Sequence, residues 1–92
     1  MPVLSAAEVQ KRVASLPEWR IESGELTRTF AFQDFVAALR FVNRVGEAAE
    51  AAGHHPDIDI RYNKVRLALI SHDAGGLTEK DFDLAAKADT LA

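Results

Sequence analysis

Apolar and polar residues alternate with two different periods along the first third of the chain, and each change of period marks a new element. A capping box at 5–8, followed by apolar residues at helical spacing, predicts a first helix that ends before Pro17. Over 19–32 the period becomes two, and the turn residues Ser23 and Gly24 interrupt it. This pattern predicts two strands joined as a β-hairpin.

The helical period returns over 34–52, where the apolar stripe is wide enough to predict a long helix buried against a sheet. Gly53 stands where this helix should end, because glycine readily adopts the left-handed cap conformation. Alternation with period two resumes at 58–70, and a two-residue turn at 63–64 is predicted to join a second hairpin. A second capping box, which begins at Thr78, predicts the start of a last helix.

The predicted order of elements is therefore α-β-β-α-β-β-α. It indicates an α+β fold, in which a four-stranded antiparallel sheet made of two hairpins carries three helices on one face. No linker or internal repeat interrupts 1–92, so we expect a single domain. An exposed strand edge predicts association with further copies of the chain, as a homodimer or homotetramer.

Composition and charge exclude several classes of function. Of the 92 residues, 48% are hydrophobic and 27% are charged, which is ordinary for a globular chain. The net charge of −3 comes without a basic stripe, so direct binding to nucleic acid is not expected. The absence of cysteine excludes disulfides and thiolate metal sites. Neither a signal peptide nor a membrane span is indicated, and we expect a soluble cytoplasmic protein.

All three histidines of the chain, His54, His55 and His72, fall within one short window. The ordinary pKa of histidine, about 6.5, allows it to gain and lose a proton near neutral pH. If 63–64 form the hairpin loop, the register places His55 opposite His72, with Cβ atoms about 4.5–5.5 Å apart. Whether His54 joins them depends on the backbone at Gly53. The window predicts a site of proton transfer.

A metal site is the main alternative for the same window. The histidines, together with Glu50 or Asp73, offer nitrogen and oxygen donors that suit zinc. Adjacent histidines in a strand point to opposite faces, which is unfavourable for chelation, so we expect no metal. Two of the acidic residues also have simpler interpretations, because Asp81 can be the acidic member of a capping box and Glu50 a solvated helix residue.

The same window gives the sequence a resemblance to the pterin-4a-carbinolamine dehydratase family. The family signature combines an acidic residue, a His-His-Pro motif, an aromatic residue, a further histidine and an aspartate at fixed spacing. The matching positions in this chain are Glu50, His54, His55, Pro56, Tyr62, His72 and Asp81. The turn at 62–65 and the segment 76–81 also resemble the family, as does the order of elements over nearly the whole chain.

The resemblance implies a hydro-lyase that removes water from a 4a-hydroxytetrahydropterin and gives the quinonoid dihydropterin, in the recycling of a pterin cofactor. It implies general acid/base catalysis by histidine, with neither a metal nor an organic cofactor. The expected catalytic residues are His54, His55 and His72. The expected substrate-binding residues, which flank the histidines or orient them, are Glu50, Gly53, Ile70, Ser71, Asp73 and Asp81.

Two positions depart from the better-known animal members of the family. Gly53 stands where those members often carry an aspartate, and Ile58 stands where they often carry a tryptophan. Both departures are expected to change the wall of the pocket and its affinity for a pterin side chain. An alternative function is a non-catalytic protein-interaction module, because members of the family also serve as dimerisation or assembly cofactors. The intact set of histidines favours the enzyme.

Overall fold

The computed structural model describes residues 2–92 and shows the elements in the predicted order. The helices are α1 (Ala6–Ala14), α2 (Phe35–Ala52) and α3 (Glu79–Leu91), and the strands are β1 (Arg20–Glu22), β2 (Glu25–Ala31), β3 (Asp57–Arg61) and β4 (Lys64–Leu69). The strands form an antiparallel sheet in the order β1-β2-β4-β3. The predicted α+β class is confirmed. No helix within 2–92 has both the length and the apolar character that a membrane crossing needs.

One face of the sheet carries the hydrophobic core. Alternate residues of the two central strands are buried there, namely Leu26, Phe30, Val65, Leu67 and Leu69. The two longer helices, α2 and α3, pack on this face, and apolar residues of α1 cover its margin. Phe41 of α2 is fully buried, with its ring centroid 4.6 Å from that of Phe30. Burial of one such side chain stabilises the fold by about 1.5–3 kcal/mol.

Arg28 interrupts the apolar face of β2 because it belongs to a polar cluster at the edge of the core. Its guanidinium donates to the Asp89 carboxylate over 2.7 Å and lies 4.1 Å from the centre of the Phe30 ring. The same carboxylate oxygen accepts from the indole Nε1 of Trp19 at 2.9 Å. The guanidinium is thus paired with a carboxylate and packed against an aromatic ring, which explains how a charged residue is accommodated on the apolar face.

The second hairpin differs from the prediction at its turn. Its loop is 62–63 rather than 63–64, which shifts the strand register by two residues. Asn63 is held against the end of β2, because its Nδ2 donates to the carbonyl of Phe32 and its own carbonyl accepts from the Phe32 N–H, both at 2.8 Å. Tyr62 takes the positive φ, 52°, that a tight hairpin turn requires. A shift of two residues leaves every side chain on its predicted face, so the hydrophobic pattern cannot detect it.

The first hairpin turns at Ser23 and Gly24, as predicted, and places Glu22 on the face of the sheet that carries no helix. The Glu22 carboxylate accepts from the guanidinium of Arg66 at 3.0 Å and from the hydroxyl of Thr27 at 3.1 Å. These hydrogen bonds, that of Arg66 first, hold the pKa of Glu22 below its ordinary value of 4.5.

A Glu22→Gln variant should reveal this interaction through its pH dependence. A carboxyl group whose pKa is lowered by folding stabilises the protein above its unfolded pKa, and this contribution is lost as the pH falls through the folded value. The free energy of unfolding of Glu22→Gln should therefore lie below that of the wild type at neutral pH, and the gap should close in acid below pH 4.5. Urea unfolding at the two pH values measures the gap.

Glu47→Gln is the matched control, because Glu47 is exposed and forms no ion pair with any residue of 2–92. A gap between wild type and Glu22→Gln that stayed constant with pH would contradict the assignment.

Candidate functional site

Helix α2 ends at Gly53, whose left-handed backbone (φ 63°, ψ 30°) turns the chain toward the end of the sheet. The Gly53 N–H donates to the carbonyl of Glu50 at 3.2 Å, and the His54 N–H donates to the carbonyl of Ala49 at 3.1 Å. This pair of bonds is the Schellman arrangement, which closes a helix at glycine. The predicted helix end is confirmed, and the motif sets the direction in which His54 leaves the helix.

We expect Gly53→Ala to lower the free energy of unfolding by about 1 kcal/mol, because a side chain disfavours the left-handed region. A Cβ atom at this position would meet no atom within 4 Å, so the backbone is the source of the strain. Gly46→Ala is the matched control, since Gly46 lies inside α2 and also has open space around a Cβ. That variant should stabilise the protein by about 0.5–1 kcal/mol. Urea unfolding measures the free energy of unfolding of both variants, and equal effects of the two substitutions would contradict this account.

His54 is held by a buried chain of polar groups. Its Nε2 donates to Oδ1 of Asp81 at 2.5 Å, and the Asp81 side chain is fully buried while that of His54 is 12% exposed. The other Asp81 oxygen accepts from the Ser71 hydroxyl and from the Thr78 backbone N–H, both at 2.9 Å. The Thr78 hydroxyl in turn donates to Ser71 Oγ at 2.8 Å. Because the carboxylate accepts from Nε2, the ring nitrogen of His54 left for a substrate is Nδ1.

Thr78 is the supporting residue that the sequence prediction did not include. The capping box that predicts the start of α3 contained the necessary signal, since Thr78 and Asp81 are its two members. The sequence allows two roles for Asp81, helix cap and site residue, and the structure shows both: one carboxylate oxygen accepts from His54 and the other from the Thr78 backbone N–H. The start of α3 and the orientation of His54 thus depend on the same carboxylate.

His55 lies on the solvent side of the window. Its Nε2 donates to a carboxylate oxygen of Glu50, which stands in the last turn of α2. The two side chains are 62% and 78% exposed. An exposed ion pair contributes only about 0–1 kcal/mol to stability, so the contact orients the imidazole more than it stabilises the fold.

His72 reaches the other histidines through a turn and not through strand pairing. The ladder between β3 and β4 ends at the pair Asp57 and Ala68, and its continuation sets His55 opposite Ile70. The predicted pairing of His55 with His72 is therefore wrong, because the hairpin turns at 62–63 and its register is shifted by two residues. His72 lies in the tight turn after β4, which is closed by the bridge between Ser71 and Gly76.

The three histidines nevertheless line one surface pocket of about 320 Å³. This volume is at the lower end of the range for small-molecule sites, about 300–1,000 Å³. The lining residues are Gly53, His54, His55, Ile70, His72 and Asp73. Of the other predicted site residues, Ser71 and Asp81 are buried behind His54, and Glu50 contacts His55 from outside the pocket.

The two departures from the animal sequences fall in different places. Gly53 is part of the pocket lining. Ile58 is not, because it lies on the edge strand β3, paired with Leu67 and partly exposed. Ile58 thus lies outside the lining of this pocket, and the effect of either position on pterin affinity stays a prediction.

The part of the chain that the structure describes, 2–92, holds no group of three His, Asp or Glu side chains placed to bind a metal ion. Instead, His54 and His55 each direct Nε2 to a carboxylate of their own. This arrangement orients two imidazoles toward one pocket and leaves the second nitrogen of each ring for another partner.

Residues 2–91 match the sequence profile of the pterin 4 alpha carbinolamine dehydratase family. The chain belongs to that family. A relative from Acidobacterium capsulatum is 59% identical over 91 residues, which cover 99% of both chains. A second, from Chloroflexus aurantiacus, is 60% identical over 91 residues, 99% of this chain and 98% of the relative. The names of both place them among the pterin-4-alpha-carbinolamine dehydratases, which are hydro-lyases.

Two solved structures share the fold. A protein from Brucella melitensis, described as a transcriptional coactivator/pterin dehydratase, superimposes with a TM-score of 0.94 at 32% identity over 98% of both chains. A pterin dehydratase-like protein, described as a RuBisCO assembly factor in the alpha-carboxysome, has a TM-score of 0.70 at 27% identity, over 82% of this chain and 89% of its own. The family fold therefore accompanies more than one described role.

Proposed function

We propose that this protein dehydrates a 4a-hydroxytetrahydropterin through the pocket lined by His54, His55 and His72. In the reaction, the bond from C4a to the hydroxyl oxygen breaks, and the oxygen leaves as water after it receives a proton. N5 loses its proton, and its electron pair forms the double bond between N5 and C4a of the quinonoid dihydropterin. The observation that carries the proposal is that every imidazole of the chain lines this one pocket.

The contacts of the imidazoles suggest how the two proton transfers are divided. His54 has its Nε2–H committed to Asp81, so a neutral ring offers Nδ1 as an acceptor for the N5 proton. The side chain of His72 forms no hydrogen bond within 2–92, so both of its nitrogens are free to protonate the departing hydroxyl. His55, held by Glu50, completes the binding surface. A positioned acid or base contributes on the order of 10²–10⁴ in rate.

The rate of dehydration tests this function directly. The 4a-hydroxytetrahydropterin can be generated in solution, and its conversion to the quinonoid product can be followed by absorbance in a stopped-flow instrument. The wild-type protein at micromolar concentration should accelerate the reaction well beyond the rate in buffer. A rate equal to that of buffer, with protein shown to be folded by circular dichroism, would refute the proposal.

A protein-interaction role is the second candidate, and the outer surface of α2 favours it. Three apolar side chains, Phe35, Val36 and Leu39, are 46%, 53% and 40% exposed on this helix. Contiguous exposed apolar residues commonly mark an interaction surface. The expected homodimer or homotetramer would cover them, as would a different protein. Sedimentation of the purified wild type and of Leu39→Glu distinguishes self-association through this surface from a monomer. An interaction module without catalysis would leave the rate of dehydration at that of buffer.

A further inference from the structure

A second cavity lies beside the histidine pocket, in the groove between the last turns of α2 and residues 80–87 of α3. It measures about 450 Å³ and is larger than the histidine pocket itself. Its floor is apolar and formed by Ala48, Ala51 and Ala52 of α2, with Leu84 of α3. The alanines leave room because their side chains end at Cβ. The groove thus has an apolar floor with space for a flat or extended group.

The rim of this groove is basic. Lys80 and Lys87 stand two turns apart on α3 and both line it, and neither forms an ion pair with any residue of 2–92. Asp83, between them on the same helix, is the one acidic residue of the lining. The charge of Asp83 also acts on Arg12 of α1: the pKa of that guanidinium is raised, mainly by Glu79 and to a smaller extent by Asp83. Two lysines against one aspartate leave the rim with a net positive charge.

His54 belongs to the lining of both cavities. A ligand that reaches the imidazole from the histidine pocket therefore stands next to the groove. In a reduced pterin, C6 is bonded directly to N5, the atom whose proton is removed in the proposed reaction. A substituent on C6 consequently leaves the ring at the reacting edge, beside His54, where the groove is adjacent to the pocket.

We infer that the groove between α2 and α3 binds the C6 substituent of the pterin, and that the preferred substrates carry an extended tail with a flat apolar part and terminal carboxylates. The alanine floor accommodates the apolar part, and Lys80 and Lys87 pair with the carboxylates. The pterin with an N-aryl glutamate tail, as in tetrahydrofolate, has this chemistry, whereas a methyl group at C6 has none of it. The inference rests on the proposed function, because it assumes that a pterin occupies the histidine pocket.

Dissociation constants for two probes, tetrahydrofolate and 6-methyltetrahydropterin, test the inference under anaerobic conditions by fluorescence titration. The wild type should bind tetrahydrofolate more tightly, and the preference should decrease as salt is added, because the lysines are exposed. In the double variant Lys80→Ala/Lys87→Ala, the preference for tetrahydrofolate, given by the ratio of the dissociation constant of 6-methyltetrahydropterin to that of tetrahydrofolate, should fall by about three- to tenfold. This is the effect of losing two exposed charge pairs. Lys11→Ala/Lys64→Ala, which removes two lysines away from the groove, should keep the wild-type ratio.

A substitution that changes shape and not charge provides an independent test. Ala51→Leu fills the floor of the groove at an exposed helix position, where leucine is also a good helix former. It should likewise reduce the preference for tetrahydrofolate.

Equal affinity of the wild type for the two probes would overturn the inference and leave the proposed function standing. A preference that survived both the lysine and the Ala51→Leu variants would also overturn it. A changed sedimentation coefficient in Ala51→Leu, with the preference intact, would identify the groove as an interface between copies. Failure of both probes to bind would instead refute the proposed function, and the inference with it.

Discussion

Replacement of His72 by alanine is expected to lower kcat for dehydration by about 10²–10⁴, the contribution of one general acid or base. His72 is exposed in the turn after β4 and lines the pocket with both ring nitrogens uncommitted. Its loss should therefore remove a proton donor without disturbing the core. The free energy of unfolding should stay within about 0.5 kcal/mol of wild type, as for most surface substitutions. Initial rates at saturating pterin and urea unfolding measure the two quantities.

Added imidazole supplies the control for this substitution. If His72 transfers a proton, free imidazole in the assay should restore part of the activity of His72→Ala and should have little effect on the wild type. A variant that dehydrated the pterin at the wild-type rate would remove His72 from the mechanism. A fall in rate matched by a fall in stability would show that the turn, and not the imidazole, had been disturbed.

Replacement of Asp81 should have the largest effect on stability. The carboxylate is fully buried and accepts from His54, Ser71 and the Thr78 N–H. Asp81→Ala would leave these donors without their acceptor and remove the helix cap, so the free energy of unfolding should fall by about 2–4 kcal/mol. Asp83→Ala, at an exposed position on the same helix, should change it by at most about 0.5 kcal/mol. Equal effects at both positions would contradict the buried network.

Asp81→Asn separates the positioning role of this residue from its structural role. The amide keeps the shape of the carboxylate but turns an NH₂ toward one of the donors, which changes the orientation and tautomer of His54. We expect kcat to fall by about tenfold or more with KM less affected, and the pH profile of kcat to change shape, because Asp81 acts through His54. A purely structural role predicts an unchanged pH profile, so an unchanged profile would contradict the positioning role.

The hydrophobic pattern was sufficient to predict the sheet and its helix-covered face, but not the register of the second hairpin. Alternation specifies which face a side chain occupies, and a shift of two residues preserves it. The deciding contacts are those of Asn63 with Phe32, which follows β2 and is distant in sequence. The expected meeting of His55 with His72 rested on that register. The structure brings the two residues to one pocket by a turn instead.

Local signals predicted the parts of the site that depend on local backbone. Gly53 predicted the end of α2, and so the direction in which His54 leaves the helix, because the left-handed cap conformation strongly favours glycine. The contact between His54 and Asp81 spans 27 residues and requires the packing of α3 against the end of the sheet. The role of Thr78 depends on the same packing. Sequence spacing alone could not distinguish a helix cap from an imidazole support at Asp81.

The imidazole resonances themselves give the most direct test of the central claim, that a pterin binds among His54, His55 and His72. The chain has three histidines, so a long-range ¹H–¹⁵N spectrum contains three imidazole patterns and no others from the protein. Titration with a stable reduced pterin such as 7,8-dihydrobiopterin should shift all three, with a common dissociation constant. Binding of the pterin, shown by fluorescence in the same sample, with all three imidazoles unmoved would contradict the account.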